Sequence, residues 1–277
     1  MNISSLELPA GNALFAAYLN RDPQLKPFYP THFLADPAET FAARAGQEYP
    51  RRELVEVLQK QNSGWGATAA TLANIGKLAD PQTLAVVTGQ QAGILGGPLY
   101  TFYKILSVLK FSRLFAERHP GYQFVPVFWL EVNDADFAEI SKTWYFDRAN
   151  ELKSLLLGEN PADALKPIHY RQLDDSPAAW RDTLAEDTVE SEFRDAVFDR
   201  YFEAYRAGAP IGEAMATLLH GLFGESGLVI LNPADPAANR LARPLYERAI
   251  RTAGELSTLF GQRSAALAQY DTLTQML

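Results

Sequence analysis

Residues 84–109 read Leu-Ala-Val-Val-Thr-Gly-Gln-Gln, pass through four glycines at positions 89, 93, 96 and 97, and leave as Pro-Leu-Tyr-Thr-Phe-Tyr-Lys. A short apolar run, a glycine-rich turn and then apolar residues at helical spacing describe a strand, a tight connection and a helix. No other feature constrains the fold as much. A strand that feeds a crossover helix returns to a parallel neighbour, and a parallel sheet needs cover on both faces. Two further apolar runs, 125–130 and 228–231, read as strands of the same kind as 84–87, interrupted only by Pro126. The expected fold class is therefore α/β, with a mostly parallel sheet flanked by helices.

The remaining chain fits around that sheet. Residues 1–80 form a helical preamble, with helices expected at 12–20, 37–45, 51–61 and 68–78, broken by prolines and glycines. Weaker strand candidates at 143–146, 151–157 and 168–172 suit an antiparallel extension. Helical spacing returns at 178–184, 190–207 and 211–223. Residues 236–277 are helical by composition and stop without a glycine cap or proline, so they read as an interrupted element. With no repeat and no long linker, 1–277 reads as one domain with its α/β core at 81–277.

Composition removes several function classes. The net charge is −8 and the 25 Lys and Arg are scattered, which offers no basic stripe to nucleic acid. The absence of cysteine excludes a disulfide framework, a thiolate zinc site and a cysteine nucleophile. No basic-then-apolar leader opens the chain and no apolar run approaches membrane-spanning length, so the expected setting is cytoplasmic, with no membrane partner. His32, His119, His169 and His220 form no spaced pair, so no metal site is read from them. No Gly-x-Ser-x-Gly elbow supports a hydrolase.

Three strand ends carry the candidate chemistry. After the first strand, Thr88, Gly89, Gln90, Gln91, Gly96 and Gly97 form a polar, glycine-rich loop. Gly97 is expected as N-cap and Pro98 as the first helical residue, which would aim unpaired N–H groups at an anion. Gly97, Thr101 and Lys104 then follow i, i+4, i+7 spacing, and Lys104 leans toward the same anion. Tyr103 neighbours it on a helix read as largely buried. Neither a Walker A loop nor the dinucleotide fingerprint is present. After the second strand come Glu131, Asn133, Asp134, Asp136 and Glu139. Carboxylates there could hold an ammonium group, hold Mg²⁺ beside a phosphate, serve as a base, or simply cap a helix. After the third strand, Asn232 is a candidate contact and Asp235, before Pro236, a helix cap.

At these residues the chain resembles the bacillithiol biosynthesis cysteine-adding enzyme family, BshC. The resemblance rests on Phe28-Tyr29-Pro30, Arg51-Arg52-Glu53-Leu54, the run Val86 through Gly93, Gly97 through Thr101 with Tyr103-Lys104, Pro126 through Trp129, Asp134 with Asp136-Phe137 and Glu139, Gly227-Leu228-Val229, and Asp235-Pro236. It implies a Rossmann-like core akin to class I nucleotidyltransferases. The implied reaction joins the carboxyl of cysteine to the amine of glucosaminyl malate, with ATP activating the carboxyl. Thr88, Gly89, Gln90, Gly97, Tyr103 and Lys104 would then line the pocket, and Asp134 and Asp136 would orient the amine or a metal. The family reads Glu-Asp-His-Asp-Phe where this chain has Asn133-Asp134-Ala135-Asp136-Phe137. It is also about twice as long, and its second half carries a coiled coil that would pair two subunits. The alternatives are a binding protein of the same fold that holds a nucleotide or thiol-sugar without catalysis, and a nucleotidyltransferase acting on another small acid.

Overall fold

The computed structural model describes residues 13–32 and 35–270. In chain order the helices and strands are α1 (Ala13–Leu19), α2 (Ala38–Ala45), α3 (Arg51–Gly64), α4 (Ala69–Lys77), β1 (Thr83–Gln91), α5 (Tyr100–Arg118), β2 (Gln123–Glu131), α6 (Phe137–Ile140), β3 (Lys142–Phe146) and β4 (Leu152–Leu156). They continue with α7 (Ser176–Asp187), α8 (Arg194–Ala204), α9 (Ile211–Phe223), β5 (Val229–Leu231), α10 (Pro236–Arg251) and α11 (Ala253–Leu267). The chain divides into two compact units, residues 43–241 and a smaller one of residues 1–42 with 242–277.

The larger unit holds both sheets. Its main sheet is parallel throughout, in the order β1-β2-β5. β3 and β4 pair antiparallel as a separate two-stranded sheet. One face of the main sheet meets α5 and α9 through Ile105, Leu109, Phe128, Leu130, Met215, Leu218 and Leu219, all buried. On the other face, Leu58 of α3 and Ile75 of α4 pack on Val125, Val127 and Val229. The expected helices at 51–61 and 68–78 thus lie directly on the sheet. Arg51 fixes their exit: its guanidinium donates to the carbonyls of Leu78, Pro81 and Thr83 at the entrance of β1.

Pro126 sits in the central strand, a position proline rarely holds because it cannot donate to the ladder. The register explains the exception. β2 pairs with β5 only from Val127 onward, and the carbonyl of Gly227 ahead of β5 is taken by the side-chain amide of Asn74.

In the smaller unit, Arg263 of α11 donates to the carbonyl of Pro27 and lies over the ring of Phe28, while Tyr270 donates to Asp22. Residues 271–277, the end of the expected last helix, lie outside the described residues. So do residues 1–12, which include the first residue of the expected opening helix.

Three local expectations change. Residues 168–172 form no strand: Pro167 leads into a 3-10 turn, Ile168–Tyr170, whose Ile168 and His169 amides bond to the carbonyls of Asp134 and Val132, leaving one bridge from Gln172 to Pro210. The helical region 236–270 is broken at Thr252 between α10 and α11. The third change concerns the glycine loop and is taken up with the site.

Candidate functional site

β1 does not end at Val87. It runs on through Thr88, Gly89, Gln90 and Gln91, paired to β2 as far as Glu131. Gly89 serves packing there: a Cβ at this position would lie 3.0 Å from the Trp129 carbonyl oxygen and 3.1 Å from its Cβ. The turn itself is 93–97. Leu95, Gly96 and Gly97 all have positive φ, at 49°, 89° and 71°. Left-handed backbone is costly for a leucine and free for glycine. Gly93 closes the turn, since a Cβ on it would meet the Cα of Gly97 at 2.7 Å.

One side chain locks this turn. The phenol of Tyr205, fully buried at the end of α8, accepts from the Gly96 N–H at 3.0 Å and donates to the Gly93 carbonyl at 2.7 Å. Burial pushes its pKa far above the usual tyrosine value, so the hydroxyl stays protonated and can donate.

The glycine turn also moves the helix start. α5 begins at Tyr100 with Leu99 at its cap, and Gly97 is outside it at φ 71°, ψ −160°. The expected Gly97 cap and Pro98 start are therefore corrected by two residues, because the turn uses Gly97 in a conformation no helix accepts. Thr101 and Lys104 also part company. Thr101 is fully buried with its hydroxyl beside Gly97, and that oxygen has no hydrogen-bond partner. Lys104 and Tyr103 lie on the exposed side. α5 is not largely buried either: Tyr100, Tyr103, Leu106 and Phe111 are each close to half exposed or more.

Lys104 turns back to the end of β1. Its Nζ donates to Gln90 Oε1 at 2.9 Å and to the Gly89 carbonyl at 3.3 Å, and lies 5.0 Å from the centre of the Tyr100 ring. Gln90 Nε2 in turn donates to the Tyr100 hydroxyl. Among the described residues no carboxylate pairs with this ammonium. Gln91 bridges to the next strand end, donating from Nε2 to Asp134 Oδ2. The buried Oε1 of Gln91 is left without a partner.

The acidic loop after β2 is largely committed to its own backbone. Glu131 accepts from the Trp129 indole and the Asn133 amide, Asp134 from the Asp136 amide, and Asp136 from the Glu139 amide as cap of α6. No three of His, Cys, Asp and Glu among the described residues converge as a metal site. Asn232 does not join the β1 cluster. Its backbone pairs with the side chain of Gln61, and its Oδ1 accepts from Ala234. Asp235 caps α10 through Ala237 and Ala238, as its Asp-Pro context predicts.

The sequence therefore located Thr88, Gly89, Gln90, Gln91, Lys104 and Asp134 at adjoining strand ends and missed Tyr205 and Tyr100. Tyr205 belongs to a helical run whose inward residue depends on tertiary packing, so only its size and position near the helix end hinted at it. An apolar groove of about 290 Å³ next to the turn, lined by Leu95, Leu99, Phe102, Trp144 and Tyr201 among others, has no charged side chain and suits no anion.

A parallel sheet with helices on both faces and polar groups gathered at the carboxyl ends of its strands defines a Rossmann-like domain. The chain belongs to the BshC family: the family model described as "Bacillithiol biosynthesis BshC, N-terminal Rossmann-like domain" matches residues 1–276. Relatives carrying the name "Putative cysteine ligase BshC" include one from Salinibacter ruber, 36% identical over 86% of this chain and 43% of its own length. Others come from Chloroherpeton thalassium, 34% identical over 84% of this chain and 42% of its own, and Solibacter usitatus, 32% identical over 95% and 48%. The chain thus spans less than half the length of these relatives. No helix among the described residues is long and apolar enough to cross a membrane.

Proposed function

We propose that this domain contributes the anion-binding half of a carbon–nitrogen ligase site that joins cysteine to glucosaminyl malate through an amide. The observation that carries the reading is Lys104, an ammonium with no counter-carboxylate among the described residues, held at the carboxyl end of β1 by Gln90 and the Gly89 carbonyl. A positive charge fixed at a strand end recognises a phosphate or carboxylate. The family's relatives, named as cysteine ligases, supply the class of reaction.

ATP fits this cluster through its phosphates, with Lys104 as the cation and Gln90 and Gln91 as adjustable amides; when bound, ATP supplies the activation that makes amide formation from a free carboxyl favourable. The residues themselves orient and neutralise. Lys104 offsets negative charge, Gln91 couples the β1 end to Asp134, and Asp134 presents a carboxylate that can accept from an amine. Among the described residues Mg²⁺ finds no converging set of ligands, because the acidic loop spends its oxygens on its own amides.

That same commitment of Glu131, Asp134 and Asp136 supports a second reading, a domain that binds the ligands without catalysing. Ala135, where the family has histidine, points the same way, since the side chain suited to proton transfer is absent. Calorimetric titration of the chain with ATP, cysteine and glucosaminyl malate, followed by mass spectrometry for the amide, separates the two. Binding with product supports the ligase, binding without product the second reading, and no binding of any of the three removes both.

A further inference from the structure

Trp65 sits just past the end of α3 and is only 8% exposed, yet its indole N–H has no hydrogen-bond partner among the described residues. A buried tryptophan ordinarily finds an acceptor for that group. Here the residue lines a cavity of about 320 Å³ formed by the end of α3, the end of α8 and the start of α9. That volume lies at the small end of the range for metabolite pockets. The cavity shares no residue with the cluster at the end of β1.

Its walls carry charge of both signs. Glu203 stands on the last turn of α8, Glu213 on the first turn of α9, and Arg206 on the connection between them. Arg206 pairs with neither carboxylate, and none of the three has an ion pair or a side-chain hydrogen bond among the described residues. All three are open to a molecule placed between them. The backbone is polarised as well. α3 ends at Gly64 and α8 at Ala204, both on the cavity wall, and a helix C-terminus presents unpaired carbonyls that favour a cation. α9 begins there with no side-chain cap, and the amides of Gly212 and Glu213 in its first turn have no backbone partner among the described residues. Free amides at a helix N-terminus favour a carboxylate.

We infer that this cavity is a binding site for a small free α-amino acid. The ammonium group of the ligand would face the carboxylates of Glu203 and Glu213 and the carbonyl ends of α3 and α8. Its carboxylate would face Arg206, the Trp65 indole N–H and the start of α9. Only a ligand with both charges satisfies both halves of the cavity. A simple cation leaves Arg206 and the indole unmet, and a simple anion is set against two carboxylates. The proposal stands on this cavity alone and holds whether or not the ligase reading does.

Calorimetric titration of this chain with L-serine and L-cysteine, without ATP, decides it, and because no nucleotide or product is involved the outcome is separate from that of the ligase reading. Both amino acids should bind saturably. Ethanolamine, which is serine without its carboxylate, and 3-hydroxypropionate, which is serine without its ammonium group, should bind at least about tenfold more weakly. Arg206→Ala should weaken L-serine by about tenfold or more, and so should Glu203→Gln combined with Glu213→Gln. All three side chains are on exposed residues, so the melting temperatures of these variants should stay close to that of the native chain. No saturable binding of either amino acid overturns the proposal, and so does ethanolamine or 3-hydroxypropionate binding as tightly as L-serine. Full affinity for L-serine in Arg206→Ala would place the amino acid elsewhere and overturn it too.

Discussion

The side-chain amide of Asn62 joins His220 to the outer edge of β5: its Oδ1 faces His220 Nε2 at 3.0 Å and accepts the Ile230 N–H at 2.9 Å, while its Nδ2 donates to the carbonyls of Leu58 and Ile230. All four hydrogen-bonding positions of one buried amide are used. Because Nδ2 is committed to two carbonyls, Oδ1 must be the acceptor toward the ring, and His220 carries its proton on Nε2. Its Nδ1 is buried and bare. The site holds a neutral imidazole.

This gives a pH dependence. Burial lowers the His220 pKa from 6.5 to about 4. The unfolded chain takes up this proton near pH 6.5 and the folded chain only near pH 4, so between those values the unfolded state binds more protons. The stability from a neutral His220 is complete above pH 6.5 and is lost as pH falls toward 4, by about 3 kcal/mol in all. Urea unfolding at pH 7.5 and 4.5 should show a loss in the native chain exceeding that of His220→Gln by about 2 kcal/mol. Equal losses in the two proteins would remove this role.

The glycine turn yields a steric prediction. A methyl group on Gly93 would sit 2.7 Å from the Cα of Gly97, and backbone cannot swing aside as a side chain can. Gly93→Ala should therefore destabilise by about 1–3 kcal/mol, as overpacking in a rigid site does. Gly121→Ala, with open space around it, is the control. A melting temperature for Gly93→Ala equal to that of the control would show that the turn relaxes freely.

Tyr205 tests whether that turn is held in shape from beneath. Tyr205→Phe keeps the ring and removes the one oxygen that bridges Gly96 and Gly93. It should cost about 1–3 kcal/mol, the penalty for leaving a buried N–H and carbonyl unpaired. Hydrogen exchange at the Gly96 amide should rise along with it. Unchanged protection there would mean that the turn keeps its form without the phenol.

What the sequence disclosed follows from how local each feature is. The strand, turn and helix at 84–109 and the strands at 125–130 and 228–231 are written in runs of neighbouring residues, and the structure contains all of them. The Asp235 cap is equally local, set by one residue and the proline after it. The course of β1 past Thr88 was not legible, because glycine and two glutamines read as a turn by composition, whereas their pairing to β2 depends on Trp129 across the sheet. The roles of Asn62 and Gln61 are hidden for the same reason: both sit 168 to 171 residues from the backbone they complete. Lys104 falls between these cases. Helical spacing put it near the turn but wrongly on the face of Thr101.

Lys104 also carries the most direct test of the site. Its side chain is exposed, its contacts with Gln90, the Gly89 carbonyl and the Tyr100 ring all lie at the surface, and it forms no ion pair among the described residues, so Lys104→Ala should lower the melting temperature only slightly. If an anionic ligand sits at the end of β1, loss of one charge-assisted hydrogen bond should weaken binding of ATP by about 10- to 100-fold, equivalent to about 1.5–3 kcal/mol. The native affinity should fall as salt rises, and the variant's should fall less, since the exposed charge responsible is screened. Lys104→Arg should recover part of the affinity, because the charge returns with a different donor geometry. An affinity unchanged in Lys104→Ala would place the anion elsewhere, and the family's chemistry would then have to be sought away from the carboxyl end of β1.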